Sequence, residues 1–465
     1  MKKNKKIWPV WAAGVIAAAA IGTGIYGLQQ SKHPQTNPGN MTQELSLQPS
    51  TQQAPKVLGM RKFPYPYQAM LAISSDADHE TLRKFNLIHE FINTHDMTPF
   101  GYYGIGIPFA DSFFMYNGSN TDKVIDYGDV RKPHELSWFK GTSNQPYAAS
   151  ILNYYIHVGW IDTLHSWGDF TMKDPFETRF SPELAAQAIQ ALKANGDYLT
   201  VWTDHGNQSN VDDMGDFGLT RFYRYQQGAN PWSPYYHADM TIPYGVRFIW
   251  ADGANDHFGM SSMIYPMRLP NGDKVWGFWR YTSNGWNRYG QPEWNWTVGD
   301  LSEQITRQKL EWLEQHHDYS IIAQHLEALN TKLPLPPNAI DALWLLAGQY
   351  DQKKLLIATT SQLLNYNVVQ QYVRYHVTYG DGKAYIHIDG VVDPVDGSYM
   401  PTLADIRGLT FYTTNPNNTV IELGNLPVPD SLIVRNPSDG HAPSIGIRWF
   451  TWSTKNYAIN SKSVY

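Results

Sequence analysis

Acidic and imidazole side chains recur at one kind of position in this chain, the point where a short apolar run stops. The run MLAI, 70–73, is followed by two serines and then by Asp76, Asp78 and His79. The stretch HVGWIDTLHSWGDF, 157–170, carries His165 and, four residues later, Asp169. LTVWT, 199–203, runs into Asp204 and His205, and YSIIAQ, 319–324, runs into His325. Such groups are costly to bury unless they pair or bind something. Asp and His together suit zinc or another divalent first-row metal. A metal of that kind polarises a carbonyl and lowers the pKa of bound water from about 15.7 to about 7. A spare carboxylate can then take the water's proton, and a separate histidine can donate one to the leaving group. On a helical turn, His165 and Asp169 would have Cβ atoms about 5–6 Å apart, near enough to share the metal.

These residues need a scaffold that brings strand ends together, and the hydrophobic pattern describes one. Residues 69–75 read as a buried strand of a parallel sheet. A helix follows over roughly 80–95, with Leu82, Phe85, Ile88 and Phe91 on one stripe. TPFGYYGIGI, 98–107, reads as a second strand, the stretch 157–170 as a third, and LTVWTDHG, 199–206, as a fourth. Between the last two, Ser181, Pro182 and Glu183 open a helix that Asn195-Gly196 stops. From 207 to 300, GVRFIWADG and KVWGFWRY read as strands among long Gly-, Asn-, Pro- and Trp-rich connections. Loops of that length usually cover a site. A helix over 301–317, the strand leading to His325, the helix DALWLLAGQY and a last strand in KLLIATTSQLL complete the alternation. The fold class is α/β, either doubly wound or a (β/α) barrel. Four strands ending in Asp or His favour the barrel, with its site at the C-terminal rim. From about 366 the helical pattern gives way to alternation, with a Gly-Asp-Gly hairpin signal at 380–382. A small antiparallel β domain is expected there.

Composition narrows the function further. The 465 residues carry a net charge of -6 and no long basic run beyond the extreme N-terminus. That argues against a nucleic-acid partner. With no cysteine in the chain, a thiolate ligand, a cysteine nucleophile and a disulfide scaffold are all excluded. The 17 Trp and 30 Tyr residues offer flat apolar faces with polar rims, which suit sugar rings. At the N-terminus, Lys2, Lys3, Lys5 and Lys6 precede an apolar stretch over 7–28, long enough to span a bilayer. The charge places the rest of the chain across the membrane. An uncleaved anchor is the preferred reading and a cleaved signal peptide, with small residues at 17–20, is the other. Residues 29–56, rich in Gln, Pro, Ser, Thr and Asn, read as a flexible linker.

The motifs resemble those of the polysaccharide deacetylase group (NodB homology, carbohydrate esterase family 4) and its wider glycoside hydrolase/deacetylase superfamily. SSDADH resembles that family's first motif, with Asp76 and Asp78 separated by Ala77 rather than adjacent. HSWGD matches the second motif, His-Ser/Thr-x-x-His, in His165 and Ser166, with Asp169 where the second His stands. SIIAQHLE, the following helix and IATTSQLL resemble the last motif. For the Arg-containing third motif only Arg268 and Arg280 are candidates. The resemblance covers roughly 60–365 and implies a distorted deacetylase-type (β/α) barrel that removes acetyl groups from a glycan with a divalent metal, most plausibly zinc. It implies Asp76 as base, His325 as general acid, and Asp78, His165 and Asp169 as ligands. His205 stands as the alternative third ligand or as a substrate contact, and Asp76 and Asp78 can exchange roles.

Asp204, Asn207, Trp286 and Trp294 are the candidate sugar-binding residues, the two tryptophans from the stretch NGWNRYGQPEWNW, 284–296. The expected organisation is a membrane or signal segment (1–28), a linker (29–56), a barrel (57–365) and a β-rich domain (366–465), with the barrel in the periplasm or outside the cell. A glycoside hydrolase on the same barrel and a non-catalytic carbohydrate-binding protein are the competing readings.

Overall fold

Seven consecutive residues, Ala69–Ser75, are buried on both faces. A strand of this kind needs neighbours along both edges and cover above and below, and the rest of the chain supplies them. The computed structural model describes residues 55–118, 135–206, 208–215, 224–252, 257–283, 295–328 and 332–459, and the backbone of 285–286 and 292–293. In chain order the elements begin with β1 (Val57–Met60), β2 (Ala69–Ser75), α1 (Leu82–Asn93), β3 (Asp111–Phe113), β4 (Tyr116–Asn117) and α2 (Ala149–Val158). Next come β5 (Ile161–His165), β6 (Gly168–Asp169), α3 (Pro182–Asn195), β7 (Val201–Thr203), α4 (Ala238–Tyr244) and β8 (Phe248–Trp250). They are followed by β9 (Ile264–Arg268), β10 (Lys274–Phe278), β11 (Gly285–Trp286), β12 (Pro292–Glu293), α5 (Leu301–Gln304), α6 (Arg307–His316) and β13 (Tyr319–Gln324). The chain then forms α7 (Pro337–Asp351), β14 (Leu355–Ile357), α8 (Thr360–Tyr372), β15 (Val373–Gly380), β16 (Lys383–Asp393) and β17 (Gly397–Tyr399). Last are β18 (Thr410–Thr413), β19 (Thr419–Leu423), β20 (Leu426–Pro427), β21 (Ile433–Asn436) and β22 (Ser444–Ile447).

Two sheets carry the site. One has the order β3-β5-β7-β8-β10-β9, parallel throughout except for the antiparallel pair β10–β9. The other, β13-β2-β14, is parallel. A parallel bridge between Tyr281 and Ile322 links them, so the C-terminal ends of these parallel strands gather at one end. The α/β class expected from sequence is present, with parallel and antiparallel sheets; the described residues do not show a closed barrel. Among the described residues no pairing joins β14 to β3. Helix α8 packs against both β2 and β5 instead. Its first turn is tied to both, with Thr360 Oγ1 donating to the Ile73 carbonyl (3.5 Å) and Ser361 N to the Asp162 carboxylate (2.8 Å).

Local signals explain most of the helices. Thr81 caps α1 by accepting from Lys84 N, and Leu82, Phe85, Ile88 and Phe91 are buried as the stripe requires. Helix α3 starts at Pro182 and ends on Gly196 in the left-handed conformation, although the Ser181 side chain makes no capping hydrogen bond to the backbone. The expected helix over 301–317 is broken into α5 and α6 at Ile305–Thr306, where Thr306 starts a new cap.

Other expectations need correction. The strand read over 98–107 is not a strand. Thr98 and Tyr102 close a tight loop (Thr98 N to Tyr102 O, 3.0 Å), Gly101 and Gly106 have positive φ, and the strand of the parallel sheet is β3, further on. Helices α2 and α4 stand where none was read. Helix α8 occupies the residues read as a strand's turn and the start of the β region, so the expected boundary at 365/366 falls inside it. Its buried residues Leu363, Leu364, Tyr366, Asn367, Val368 and Val369 surround most of the axis, so no one-sided stripe marks it.

The β region is also not purely antiparallel: β16 pairs with β19 in parallel, because the chain crosses through β18 in another sheet between them. Nor is it separate from what precedes it. Strand β1 pairs with β18, and one core contains Met70, Val201 and Phe248 together with Ile386, Phe411 and Ile445. No helix among the described residues is long and apolar enough to cross a membrane. The expected membrane segment and nearly all of the linker lie outside the described residues.

Candidate metal centre

The ends of β2, β5, β7 and β13 deliver Asp76 and Asp78, His165, His205, and His325 to a single cavity of about 420 Å³. Three of them form a tight group. His165 Nε2 lies 3.0 Å from His205 Nδ1 and 3.3 Å from Asp78 Oδ2, and His205 Nδ1 lies 3.2 Å from Asp78 Oδ1. Two imidazole nitrogens facing each other this closely need a shared proton or a cation between them. The edges of a tetrahedron with metal–ligand bonds of about 2.0–2.1 Å are about 3.3 Å, close to these separations. Asp78, His165 and His205 can therefore hold a metal ion.

Each histidine of the group has a carboxylate behind it. His165 Nδ1 faces Asp76 Oδ1 at 3.4 Å, and His205 Nε2 faces Asp169 Oδ1 at 3.2 Å. Carboxylates in this outer position fix the tautomer and ring orientation of a ligating histidine. Asp169 thus stands on the far side of His205 rather than in the ligand group. The helical turn assumed for 165–169 does not form: Ser166 has φ 44° and the chain continues into the short strand β6. The backbone of His205 is fixed in turn by the Asp213 carboxylate, which accepts from His205 N at 2.9 Å.

Asp76 is held by Arg280, whose two terminal nitrogens donate to both of its oxygens at 2.6 and 3.0 Å. The guanidinium is fully buried and lies 3.6 Å from the centre of the Trp250 ring. Burial alone would raise the Asp76 pKa, but Arg280 and His165 outweigh it and keep the carboxyl well below its usual range. Asp78 behaves likewise: His205, His165 and His325 overcome burial and leave it ionised. Of the two arginine candidates, Arg280 reaches the site, while Arg268 lies at the end of β9 with its side chain on the Gly272 carbonyl (3.4 Å).

His325 approaches Asp78 from the other side, with Nε2 at 3.1 Å from Oδ2. Its Nδ1 donates to the Trp296 carbonyl at 2.9 Å, which leaves Nε2 as the nitrogen that gains or loses a proton. Burial lowers its pKa, but Asp78 more than offsets this and pushes it up to about 10. His205 is pushed up to about 10 as well, by Asp78 and Asp169 against burial.

The candidate sugar-binding residues fare differently. Asp204 borders the cavity but is saturated by the protein, accepting from Trp202 Nε1, Met214 N and Gln226 Nε2 at 2.9 Å each. Asn207 and Trp294 lie outside the described residues, and so does the side chain of Trp286. Of the Trp-rich stretch, it is Trp296 that lines the cavity, beside Trp250. Asp252 also lines the cavity and accepts a hydrogen bond from the Tyr225 hydroxyl. Asp252 follows the apolar strand β8 as Asp76 follows β2, so GVRFIWADG carries the same strand-end signal.

No family model matches this sequence, and no curated protein or solved structure matches it.

Proposed function

We propose that this chain is an exported, metal-dependent hydrolase that removes acetyl groups from a glycan, on a distorted barrel of the deacetylase type. The observation that carries the reading is the pair of groups flanking the metal-binding set: an arginine-clamped carboxylate, Asp76, on one side and a protonatable histidine, His325, on the other. Asp78, His165 and His205 would hold the ion, and their nitrogen and oxygen donors suit zinc. When bound, the ion supplies Lewis acidity toward a carbonyl oxygen and lowers the pKa of water.

The protein groups then divide the proton work. Asp76, kept ionised by Arg280, takes a proton from the attacking water as its oxygen bonds to the acetyl carbon. His325 delivers the Nε2 proton to the departing sugar nitrogen or oxygen as the bond from that atom to the acetyl carbon breaks. Acetate leaves, and the sugar keeps a free amine or hydroxyl. Trp250 and Trp296 offer apolar faces to the sugar ring and Asp252 a hydrogen-bond acceptor. The N-terminal lysines and apolar segment anchor the enzyme in the membrane with this domain on the far side.

The test is acetate release from acetylated oligosaccharides by the full chain, with and without added zinc, alongside metal content by mass spectrometry. One equivalent of metal and metal-dependent acetate release support the reading. Cleavage of the sugar chain after chelation would replace it with a glycoside hydrolase.

A further inference from the structure

At the N-terminal ends of β2 and β14, away from the metal group, the chain forms a second cavity of about 470 Å³. That lies within the ~300–1,000 Å³ of small-ligand sites. Its walls come from residues 64–67 before β2, the end of α7 with the turn after it, the extended segment 448–454, and Gly106 together with Thr410 of β18, Val434 and Asn436 of β21 and Gly446 and Ile447 of β22.

The walls are aromatic and fixed. Tyr67 and Tyr350 lie nearly parallel, with 9° between ring planes and 6.3 Å between centroids. Tyr65 is held beneath the Arg61 guanidinium at 5.8 Å, and Arg61 is itself tied to Asp439 at 3.0 Å. Trp449 and Trp452 line the cavity as well. The segment that carries them is pinned along its length. Arg407 donates to the Trp449 carbonyl (2.8 Å), Arg448 N to the Leu432 carbonyl (2.7 Å) and Asn86 to the Ile459 carbonyl (2.7 Å).

The charge of this groove opposes that of the chain. Lys353 and Arg448 line it, both exposed, and neither makes an ion pair with a described residue. No described lining residue is a carboxylate; Asp351 follows Tyr350 on the helix but does not line the groove. The protein as a whole carries -6.

We propose that this groove binds an acidic polysaccharide, a uronate-bearing chain whose ring faces lie on the tyrosines and tryptophans while its carboxylates meet Lys353 and Arg448. Aromatic faces account for sugar rings. Two unpaired cations with no carboxylate among the lining residues account for the acid, since charge-assisted hydrogen bonds are the strong ones. The groove shares no lining residue with the metal cavity, so this site stands whether or not the deacetylase reading does.

The experiment is isothermal titration of the full chain with galacturonate oligomers and with galactose oligomers of the same length. The acidic oligomer binds, and the neutral one binds at least about tenfold more weakly. Lys353→Glu/Arg448→Glu lowers affinity for the acidic oligomer by at least about tenfold, more at low salt than at high, and leaves metal content and acetate release unchanged. Circular dichroism and thermal melting establish that this double variant is folded. His165→Ala, which removes a metal ligand, keeps the binding. Equal affinity for acidic and neutral oligomers, no binding of either, or full affinity in the double variant overturns the proposal. Loss of binding in His165→Ala also overturns it, by moving the oligomer to the metal cavity.

Discussion

The two ends of the parallel strands carry opposite chemistry. Cavities of about 420 and 470 Å³ are lined in one case by Asp76, Asp78, Asp204 and Asp252 with three histidines, and in the other by Lys353 and Arg448 among aromatic rings. The difference follows from how each end is built. At the C-terminal ends each strand contributes the one or two residues at which it stops, and the parallel arrangement brings them together. These charges are largely buried, so each depends on a partner. Asp76 needs Arg280, and His165 and His205 need a carboxylate behind them and a cation or proton between them. The charges of the other cavity stand in solvent on a rigid aromatic frame, where a lost cation costs the fold little. Substitutions at the buried, mutually dependent charges should be severe, and those at the solvent-facing cations selective.

The sharpest break is His165→Ala. It removes one of the three proposed metal donors, and the expected outcome is loss of bound metal and of all measurable acetate release, with binding at the aromatic groove intact. Mass spectrometry and the oligomer titration read the two ends separately. A variant that kept its metal would sink the proposed ligand set. Asp76→Asn comes next. If Asp76 is the base, kcat falls by about 10²–10⁴ while metal stays bound. If Asp76 serves only to orient His165, metal affinity falls instead and excess zinc restores the rate.

Asp169→Asn tests the outer carboxylate of His205. Outer-shell partners of ligating histidines are worth roughly 10–100-fold in metal affinity. The expected result is weaker zinc binding by that factor, read by competition with a chromogenic chelator, and near-normal activity at saturating zinc. Unchanged affinity would reduce the Asp169–His205 contact to packing.

How far this was legible in sequence depended on whether a residue's role was decided locally. Asp78, His165 and His325 each follow an apolar run, and β2, β5, β7 and β13 form where those runs predict. Arg280 was one of two candidates; only the position of β10 next to β8 selects it. Asp169 was misplaced because HxxxD was read with helical spacing, whereas Ser166 turns the chain into β6. Helix α8 has no helical signature in the sequence because it is buried around most of its circumference and shows no stripe. The aromatic groove had no local signature: Tyr67, Tyr350 and Trp449 meet only through the folding of β1 against β18 and the return of the C-terminal segment.

The smallest expected effect concerns pH, and it belongs to the metal end. Burial pushes the Asp111 carboxyl up to about 7 and Glu327 up to about 8. A carboxyl raised in the folded state keeps its proton where the unfolded chain has lost it. The stability it contributes is therefore full below about 4 and is lost as pH rises through 7 to 8. His205 and His325, raised to about 10, act with the same sign over a later window, from about 6.5 to about 10. Asp76 and Asp78, both lowered, have the opposite sign, and their contribution is lost only as pH falls below about 4. His89 and His237, buried and lowered to about 3 and about 4, act with the opposite sign only below about 6.5, so the metal-free protein should lose stability as pH rises from about 7 and melt several degrees lower at about pH 9. A metal held by the proposed ligand set would keep His205 neutral and neutralise Asp78. The decline above about 6.5 should then flatten, while the earlier decline from Asp111 and Glu327 remains. Thermal melting across this range, with and without chelator, separates the two windows. Metal-free protein that melts higher at about pH 9 than at about pH 7 would contradict the sign of the raised groups at this end of the molecule.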